Sequence, residues 1–409
     1  MSKPINHKNK KNIKDLKLDI LLEITKSINS NASTETLLGK FKEFMTNELM
    51  ISKLLLYSYN NRWEIILNFG MDEEKTDKEI NIETDLKPVK EITTLQNSTN
   101  EHFNNFEVII PVFHKTEPLS YLLIGKSKKS ANLKTSVSRH LPFIQTLTNI
   151  IIVAIENKKL ARQRFIQEVT KKELALASQM QAMLFPDDLP NNEKLEISAI
   201  YKPLHEVGGD YYDFIRINEY EVFICMADVS GKGVSAALLM SNFQANLHAL
   251  TGSKTSLIDT IKVLNKKVNL SAKGEKFITL FIAKYNQKTK LLSYINAGHN
   301  PPLLMSGDKV NILKTGCAGL GMFEEIGTIL QGEVTVSPNS ILLCYTDGIT
   351  EIENEKEQEY GLSRLKKVLK INRQEKMEKL NSEIMKGIEQ FKGLKPFVDD
   401  IALLSCRLN

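Results

Sequence analysis

The 409-residue sequence has few of the features that mark thiol chemistry, secretion or membrane insertion. Its four cysteines, Cys225, Cys317, Cys344 and Cys406, lie far apart and show no CxxC spacing. Three of them fall inside apolar runs, so we expect buried thiols in a reducing cytoplasm. The N-terminus lacks the apolar core that a signal peptide needs. The most apolar run, residues 150–155, is far shorter than the roughly 20 residues that span a bilayer, so we expect a soluble protein with no membrane partner.

The net charge of the chain is also small. The formal net charge is +5, with 42% hydrophobic and 25% charged residues. This composition is typical of globular domains, and the charge is too small to favour a nucleic-acid partner. Much of the excess lies in residues 1–17, where six lysines face one aspartate. We interpret this segment as a solvated basic tail, and a membrane or nucleic-acid arm as the less favoured alternative.

Residues 18–157 alternate between helical and extended patterns. Apolar residues recur at three- and four-residue spacing in two segments between residues 15 and 50, which predicts two helices. Runs typical of strands then come in two pairs, separated by a polar stretch: 54–57 with 63–67, and 108–112 with 119–125. This order resembles a GAF domain, which implies an α/β sensor fold. Such a domain holds a small molecule, or it works as a dimerisation or signal-relay module with an empty pocket.

One long helical pattern runs from residue 135 to 185, weakened at Pro142. Apolar residues follow alternating spacings of four and three, with a polar residue at one expected position and a shift of frame near the middle: Leu147, Ile151, Ala154, Lys158, Ala161, Phe165, Val169, Leu176, Met180 and Met183. A heptad seam with a phase break predicts a coiled-coil linker, assigned to residues 158–190, that joins two protomers of a homodimer. The alternative is a single amphipathic helix that packs on its own domain.

The C-terminal half repeatedly places an aspartate at the end of an apolar or aromatic run. Asp210 lies in EVGGDYYD, Asp228 in ADVSGKG, Asp347 in YTDG, and Asp399 precedes Asp400 in VDDI. Glycines beside the first three let the backbone approach a ligand closely. Because no cluster of histidine or cysteine accompanies these carboxylates, they indicate a hard cation such as Mg²⁺ or Mn²⁺.

Five blocks in order resemble the SpoIIE-like branch of the metal-dependent protein phosphatases (PPM family). They are EVGGDYYD, ADVSGKGVSAALLM, INAGHNPPLL, YTDGITE and DDIALL, and the resemblance covers about residues 170–409. Any one block alone is weak, since an aspartate beside glycine is usually a turn residue. The resemblance implies an α+β chain whose residues 191–409 form a β-sandwich flanked by helices. It also implies that two Mn²⁺ or Mg²⁺ ions serve there in the hydrolysis of phosphoserine or phosphothreonine on a partner protein.

The resemblance also assigns the site, position by position. Asp210, Asp228, Asp347 and Asp399 would be the catalytic metal ligands, with Asp228 as the bridging carboxylate. The carbonyl of Val229 would be a backbone ligand. These assignments agree with the residues themselves, because two ions can activate a water without any protein nucleophile.

Other polar residues of the blocks have two interpretations each. Asp400, the second aspartate of its pair, is the less favoured ligand, and Asp213 fits a supporting or structural role. His299 is a general acid or a hydrogen-bonded loop histidine. Lys232 attracts phosphate or is a solvated surface lysine. Many eukaryotic relatives hold the phosphate with an arginine near the first metal aspartate, and no arginine stands near Asp210.

Two rival functions remain to be weighed. The run Gly208-Gly209-Asp210 also resembles the GGDEF motif of diguanylate cyclases, but the residues that follow differ and the later blocks would have no role. A scaffold that binds a phosphorylated partner without hydrolysing it is the stronger rival, although all four expected aspartates are present. The family further implies a substrate, a phosphorylated anti-anti-sigma (STAS) protein of a bacterial partner-switching pathway. In that case GAF-domain signals would act through the linker helix.

Overall fold

The computed structural model of the protein describes residues 13–71, 80–95, 101–103, 105–125, 139–251 and 256–409. Most of the predicted basic tail, and the beginning of the predicted long helical pattern at residue 135, lie outside the described residues. The chain divides into two compact units, Met1–Glu168 and Val169–Asn409. This division falls inside the predicted linker, residues 158–190.

The N-terminal unit is built on a five-stranded antiparallel sheet in the order β2-β1-β5-β4-β3. Its helices are α1 (Ile13–Asn29) and α2 (Thr34–Glu43), and α2 continues into a π-helical turn at Phe44–Glu48. Further short turns lie at Ile82–Leu86 and Glu101–Phe103. The strands are β1 (Leu54–Asn60), β2 (Arg62–Phe69), β3 (Thr93–Thr94), β4 (Phe106–His114) and β5 (Glu117–Gly125).

Both predicted strand pairs are present in this sheet. β1 and β2 turn at Asn61, whose φ of 58° is left-handed, as asparagine tolerates. β5 is buried on both faces: Leu122 and Ile124 contact the core under the helices, whereas Tyr121 and Leu123 contact a second core on the opposite face. The central strands therefore read as continuous apolar runs in the sequence. The assignment of this unit to the GAF domains stays a prediction.

The predicted long helix is α3 (Leu141–Ala182), with 42 residues. Pro142 lies in its first turn, where a backbone N–H has no partner within the helix, so this proline does not weaken it. Leu147 and Ile151 were predicted to face a second protomer, and this is wrong. They are fully buried in the core of the N-terminal unit, with exposed fractions of 0% and 1%. The helix there packs on its own domain.

Further along α3, three apolar side chains of the predicted seam are exposed to solvent. Phe165, Leu176 and Met180 are 66%, 62% and 70% exposed. Lys158, the polar residue at an expected seam position, donates to the carbonyl oxygens that follow α1, those of Asn31 at 3.2 Å and Ala32 at 2.9 Å. Its place in the pattern therefore has a local structural cause.

The C-terminal unit consists of two stacked β-sheets with helices on both outer faces. One sheet has the order β13-β10-β9-β8-β7, with β14 also on β10: β7 (Asp210–Arg216), β8 (Glu221–Val229), β9 (Ile278–Asn286), β10 (Leu291–Ala297), β13 (Gly316–Cys317) and β14 (Gly332–Thr335). The other has the order β12-β11-β15-β16-β6: β6 (Leu195–Lys202), β11 (Leu303–Ser306), β12 (Lys309–Ile312), β15 (Ser340–Tyr345) and β16 (Ile401–Leu408). The helices are α4 (Val234–Thr251), α5 (Leu257–Ala272), the short α6 (Asp347–Thr350), α7 (Gly361–Ile371) and α8 (Met377–Lys392).

Strand β8 explains why the sequence folds into layers. Val222, Ile224 and Met226 face the core between the sheets, whereas Phe223 and Cys225 face the core under α4 and α5. A strand covered on both faces needs an unbroken apolar run, and the run that leads to Asp228 has this character. The helices α7 and α8 cover the second sheet in the same way. This architecture confirms the β-sandwich flanked by helices that the resemblance implies.

The cysteines lie as expected. Cys225, Cys344 and Cys406 are buried free thiols, and Cys317 is half-buried. Among the helices of the described ranges, none combines the length and the apolar character needed to cross a membrane.

Candidate metal centre

Four strand ends bring the predicted aspartates to one end of the sandwich. Asp210 begins β7 and pairs in register with Asp228, near the end of β8. Asp347 follows β15, and Asp399 shortly precedes β16, which pairs antiparallel with β15. The carboxylates are close enough to influence one another's ionisation. The antiparallel register therefore gathers residues that lie up to 189 positions apart in the sequence.

Two motif glycines permit this convergence. A Cβ atom at Gly209 would lie 2.9 Å from the carbonyl oxygen of Val229, the predicted backbone ligand. A Cβ atom at Gly348 would overlap the carbonyl oxygen of Asp400. These glycines are needed for close approach of two backbones, rather than for a turn.

The electrostatics of the cluster are those of crowded, buried carboxylates. Asp210 is 2% exposed, and its Oδ2 atom has no hydrogen-bond partner. Burial, followed by the charge of Asp228, raises the pKa of Asp210 well above its usual range. Burial, followed by Asp347 and Asp399, raises the pKa of Asp228 to about 7. Like charges held together in this way are stabilised by protons or by a cation.

The donor set fits a hard divalent cation. All the candidate ligands are carboxylate or carbonyl oxygens, and the buried Oδ2 of Asp210 lacks the partner that a bound cation would supply. Within the part of the chain that the structure describes, no three His, Cys, Asp or Glu side chains already form a closed metal-binding group.

The two members of the aspartate pair have different surroundings. Asp400 is buried and fully engaged: its Oδ1 accepts from the N–H of Leu204 at 2.8 Å, and its Oδ2 accepts from the N–H of Gly209 at 2.6 Å. Asp399 has a side chain that is 38% exposed and lies 2.9 Å from the ammonium of Lys232. Asp400 therefore holds the loop before Asp210, and Asp399 stays the predicted ligand.

One residue at the site has no signal in the sequence. Gln181, in the last turn of α3, is 6% exposed. Its Nε2 donates to the carbonyl of Gly208 at 2.7 Å, and its Oε1 accepts from the Gly208 N–H at 3.1 Å. Four residues later, Phe185 stacks on Tyr201 and Tyr212 with ring centroids 4.6 and 4.9 Å apart. A glutamine in a helical pattern is ordinary, so only the structure identifies this contact.

The structure also bears on His299 and Asp213, two of the residues that have more than one interpretation. His299 is buried, its Nδ1 lies 2.9 Å from the hydroxyl of Thr279, and burial lowers its pKa to about 3. A neutral, hydrogen-bonded loop histidine fits these facts better than a general acid. Asp213 points to the opposite face of β7, where Tyr211 donates to it and the Nε2 atom of His248 lies 2.6 Å away. Its role is therefore structural.

Comparisons with known proteins agree with the motifs. Residues 218–409 match the family model described as Stage II sporulation protein E (SpoIIE). Phosphoserine phosphatase RsbU of Bacillus subtilis is 31% identical over 194 residues, which cover 47% of this chain and 57% of RsbU. Protein IcfG of Synechocystis sp. is 27% identical over 280 residues, which cover 62% of this chain and 44% of IcfG. The chain thus spans about half the length of these curated relatives.

Among solved structures, the SiaA-PP2C domain of Pseudomonas aeruginosa has a TM-score of 0.52 at 20% identity. The alignment covers 60% of this chain and 99% of that domain. At this identity the likeness concerns the fold, and it confirms the predicted sandwich. The SpoIIE match begins after Asp210, so three of the four predicted ligands lie inside it.

Proposed function

We propose that the C-terminal unit, which belongs to the SpoIIE-type PP2C phosphatase domains, is a metal-dependent protein serine/threonine phosphatase. The observation that carries this proposal is the set of four carboxylates at the end of a PP2C-fold sandwich, one of which, Asp210, is buried with an oxygen that has no hydrogen-bond partner. The name of RsbU, a phosphoserine phosphatase, supports the same reaction class.

In this proposal Asp210, Asp228, Asp347, Asp399 and the carbonyl of Val229 hold two Mn²⁺ or Mg²⁺ ions. When bound, such a pair supplies a water of lowered pKa as the nucleophile and neutralises the phosphate oxygens. The residues of the chain keep the carboxylates converged and partly shielded from solvent. No protein nucleophile takes part.

Two further residues position Asp210. Asp400 fixes the backbone N–H groups of Leu204 and Gly209, and Gln181 holds both backbone groups of Gly208. The backbone on the N-terminal side of Asp210 is therefore held from two directions. Small displacements of a ligand have large effects on a site of this kind.

The contact between Gln181 and Gly208 also supports a route for regulation. α3 begins in the N-terminal unit and ends at this contact, so a change of the helix reaches the residue two positions before Asp210. We propose that a small-molecule or protein signal at the GAF-like domain selects between two arrangements of α3 and so sets metal occupancy. The exposed apolar residues Phe165, Leu176 and Met180 are the proposed seam of a homodimer.

The proposed substrate is a phosphorylated anti-anti-sigma protein of the STAS type, in the cytoplasm. Dephosphorylation would let that protein sequester an anti-sigma factor and release a sigma factor. This part of the proposal depends on the family alone.

The test is hydrolysis of p-nitrophenyl phosphate and of a phosphorylated STAS protein by the full chain, with Mn²⁺, Mg²⁺ or EDTA. We expect metal-dependent turnover that Asp228→Ala abolishes while the fold survives, as judged by circular dichroism. Asp188→Ala, which removes an exposed aspartate of the same unit, is the matched control and should retain turnover. Near wild-type turnover in Asp228→Ala would refute the assignment, and metal binding without turnover on either substrate would favour the scaffold.

The seam is tested separately. Phe165→Asp and Leu176→Asp should reduce dimerisation and change turnover together, as measured by analytical ultracentrifugation and phosphatase assay. Ile151 is unsuitable for this test because it belongs to the core of the N-terminal unit. Independent changes of assembly and turnover would contradict the proposed coupling.

A further inference from the structure

Lys232 lies at the edge of the carboxylate cluster, and none of the roles assigned above uses it. We propose that Lys232 is the residue that binds the phosphate group of the substrate, an inference that rests on the phosphatase function proposed above. It would replace the arginine of eukaryotic relatives with a lysine that comes from a different loop.

The position of the ammonium group is the first argument. Its Nζ lies 2.9 Å from Oδ2 of Asp399 and donates to the carbonyl of Val398 at 2.5 Å. Lys232 therefore reaches from the loop after β8 to the segment before β16, alongside a predicted metal ligand. Its side chain is 41% exposed, so a phosphate group arriving from solvent can reach the ammonium.

The positive charge of Lys232 lies beside the predicted metal ligands. Its ammonium lies 2.9 Å from Oδ2 of Asp399, one of the predicted metal ligands. A positive charge at this distance opposes the binding of a cation and favours the binding of an anion.

The backbone around Lys232 favours an anion as well. Gly231 and Gly233, with φ of 85° and 77°, form a left-handed turn that leads directly into the 18-residue helix α4. The first turn of α4 contains no acidic residue. The positive end of its dipole therefore adds to the potential of the ammonium.

Nearby cations, like Lys232, make local contacts, but with other groups. Lys276 donates to the carbonyl of Ser230 at 2.9 Å. Lys202, the nearest cation upstream of Asp210, lies 4.1 Å from the ring centroid of Phe397 and 3.4 Å from a carboxylate oxygen of Glu389. His299 is neutral, as described above. Of these candidates, Lys232 is the one that contacts a predicted metal ligand directly.

The proposal predicts effects of opposite sign in one variant. Lys232→Met removes a positive charge, so the full-length protein should bind inorganic phosphate about tenfold more weakly in the presence of Mn²⁺. The same variant should bind Mn²⁺ about threefold more tightly in the absence of phosphate. Both constants are measured by isothermal titration calorimetry, with p-nitrophenyl phosphate kinetics alongside, where KM should rise.

Two control variants sharpen the result. Lys232→Arg keeps the charge and should bind phosphate within about threefold of the wild type. Lys202→Met removes the same charge from a lysine that is paired with Glu389 and not with a predicted metal ligand, and should change neither constant.

Each alternative outcome is distinct. Weaker binding of both Mn²⁺ and phosphate by Lys232→Met would mean that Lys232 only positions Asp399, and unchanged constants would mean a solvated lysine. Either result overturns this inference and leaves the phosphatase proposal standing. A wild-type protein that binds neither Mn²⁺ nor phosphate would overturn both.

Discussion

Strand β7 carries two buried aspartates, three residues apart, whose surroundings are opposite. Asp213 is 3% exposed and fully satisfied: Tyr211 donates to it, the Nε2 atom of His248 lies 2.6 Å away, and the Phe214 N–H donates at 2.7 Å. Asp210 is 2% exposed, with one oxygen unpartnered and another carboxylate beside it. Burying a carboxylate is costly unless its oxygens are paired, so a buried carboxylate oxygen without a hydrogen-bond partner marks Asp210 as a candidate cation ligand. On one strand, Asp213 is therefore a structural aspartate and Asp210 is the candidate metal ligand.

The largest expected effect is a difference in stability between these two positions. Asp213→Ala should lower the free energy of unfolding by about 3–5 kcal/mol, because it removes the partner of several buried donors. Asp210→Ala in EDTA should leave the free energy of unfolding near the wild-type value or raise it, since it relieves repulsion. Urea denaturation of both variants measures the difference. Equal losses in the two variants would abolish the distinction between the two aspartates.

The second effect is the pH dependence of stability without metal. The pKa values of Asp210 and Asp228 are raised in the folded protein, to about 7 for Asp228, whereas an unfolded aspartate titrates near ~3.9. The folded state therefore binds more protons between these values, and the free energy of unfolding should fall as pH rises from about 4 to about 7. One such proton gives about 1.4 kcal/mol per pH unit.

The measurement is urea denaturation in EDTA at several pH values, with Asp228→Asn beside the wild type. The variant should show a shallower fall, and saturating Mn²⁺ should reverse the trend in the wild type because the metal takes the place of the protons. A difference between wild type and variant that does not depend on pH would contradict the raised pKa of Asp228.

The layered fold is confirmed, and its buried strands are visible in the sequence because they follow local rules. The ligand assignments come from the family resemblance and stay predictions. Strands covered on two faces must be apolar throughout. An aspartate at the end of such an apolar run can therefore be recognised from the sequence of that strand alone. The pattern could not predict how the ends meet, since the register that sets Asp210 opposite Asp228 is a tertiary property. It was wrong about Leu147 and Ile151, because heptad spacing is the same whether a helix packs on its own domain or on a partner.

Asp399 and Asp400 show the same contrast between a candidate ligand and a structural aspartate, with smaller expected effects. Asp400→Asn should lower the free energy of unfolding by about 2 kcal/mol, because it disturbs two charge-assisted bonds to the backbone of the loop before Asp210. Asp399→Asn should leave stability nearly unchanged and weaken Mn²⁺ binding. Denaturation and calorimetric titration of each variant check the two halves. The reverse pattern would make Asp400 the ligand.

The smallest expected effect concerns Gln181, which supports only one of the two aspartates of β7. Gln181→Leu removes two hydrogen bonds to Gly208, so the free energy of unfolding should fall by about 1–2 kcal/mol. Because Gly208 lies two residues from Asp210, Mn²⁺ affinity should also fall severalfold, as measured by calorimetry. The pair of Asp213 and His248 lies on the opposite face of the strand, and its NMR signals should not move. Gln181→Glu can still accept from the Gly208 N–H but cannot donate to its carbonyl. Its free energy of unfolding and its Mn²⁺ affinity should lie between those of the wild type and of Gln181→Leu. If the stability fell while Mn²⁺ affinity stayed at the wild-type value, the end of α3 would only be packed against the site, without any influence on its metal ligands.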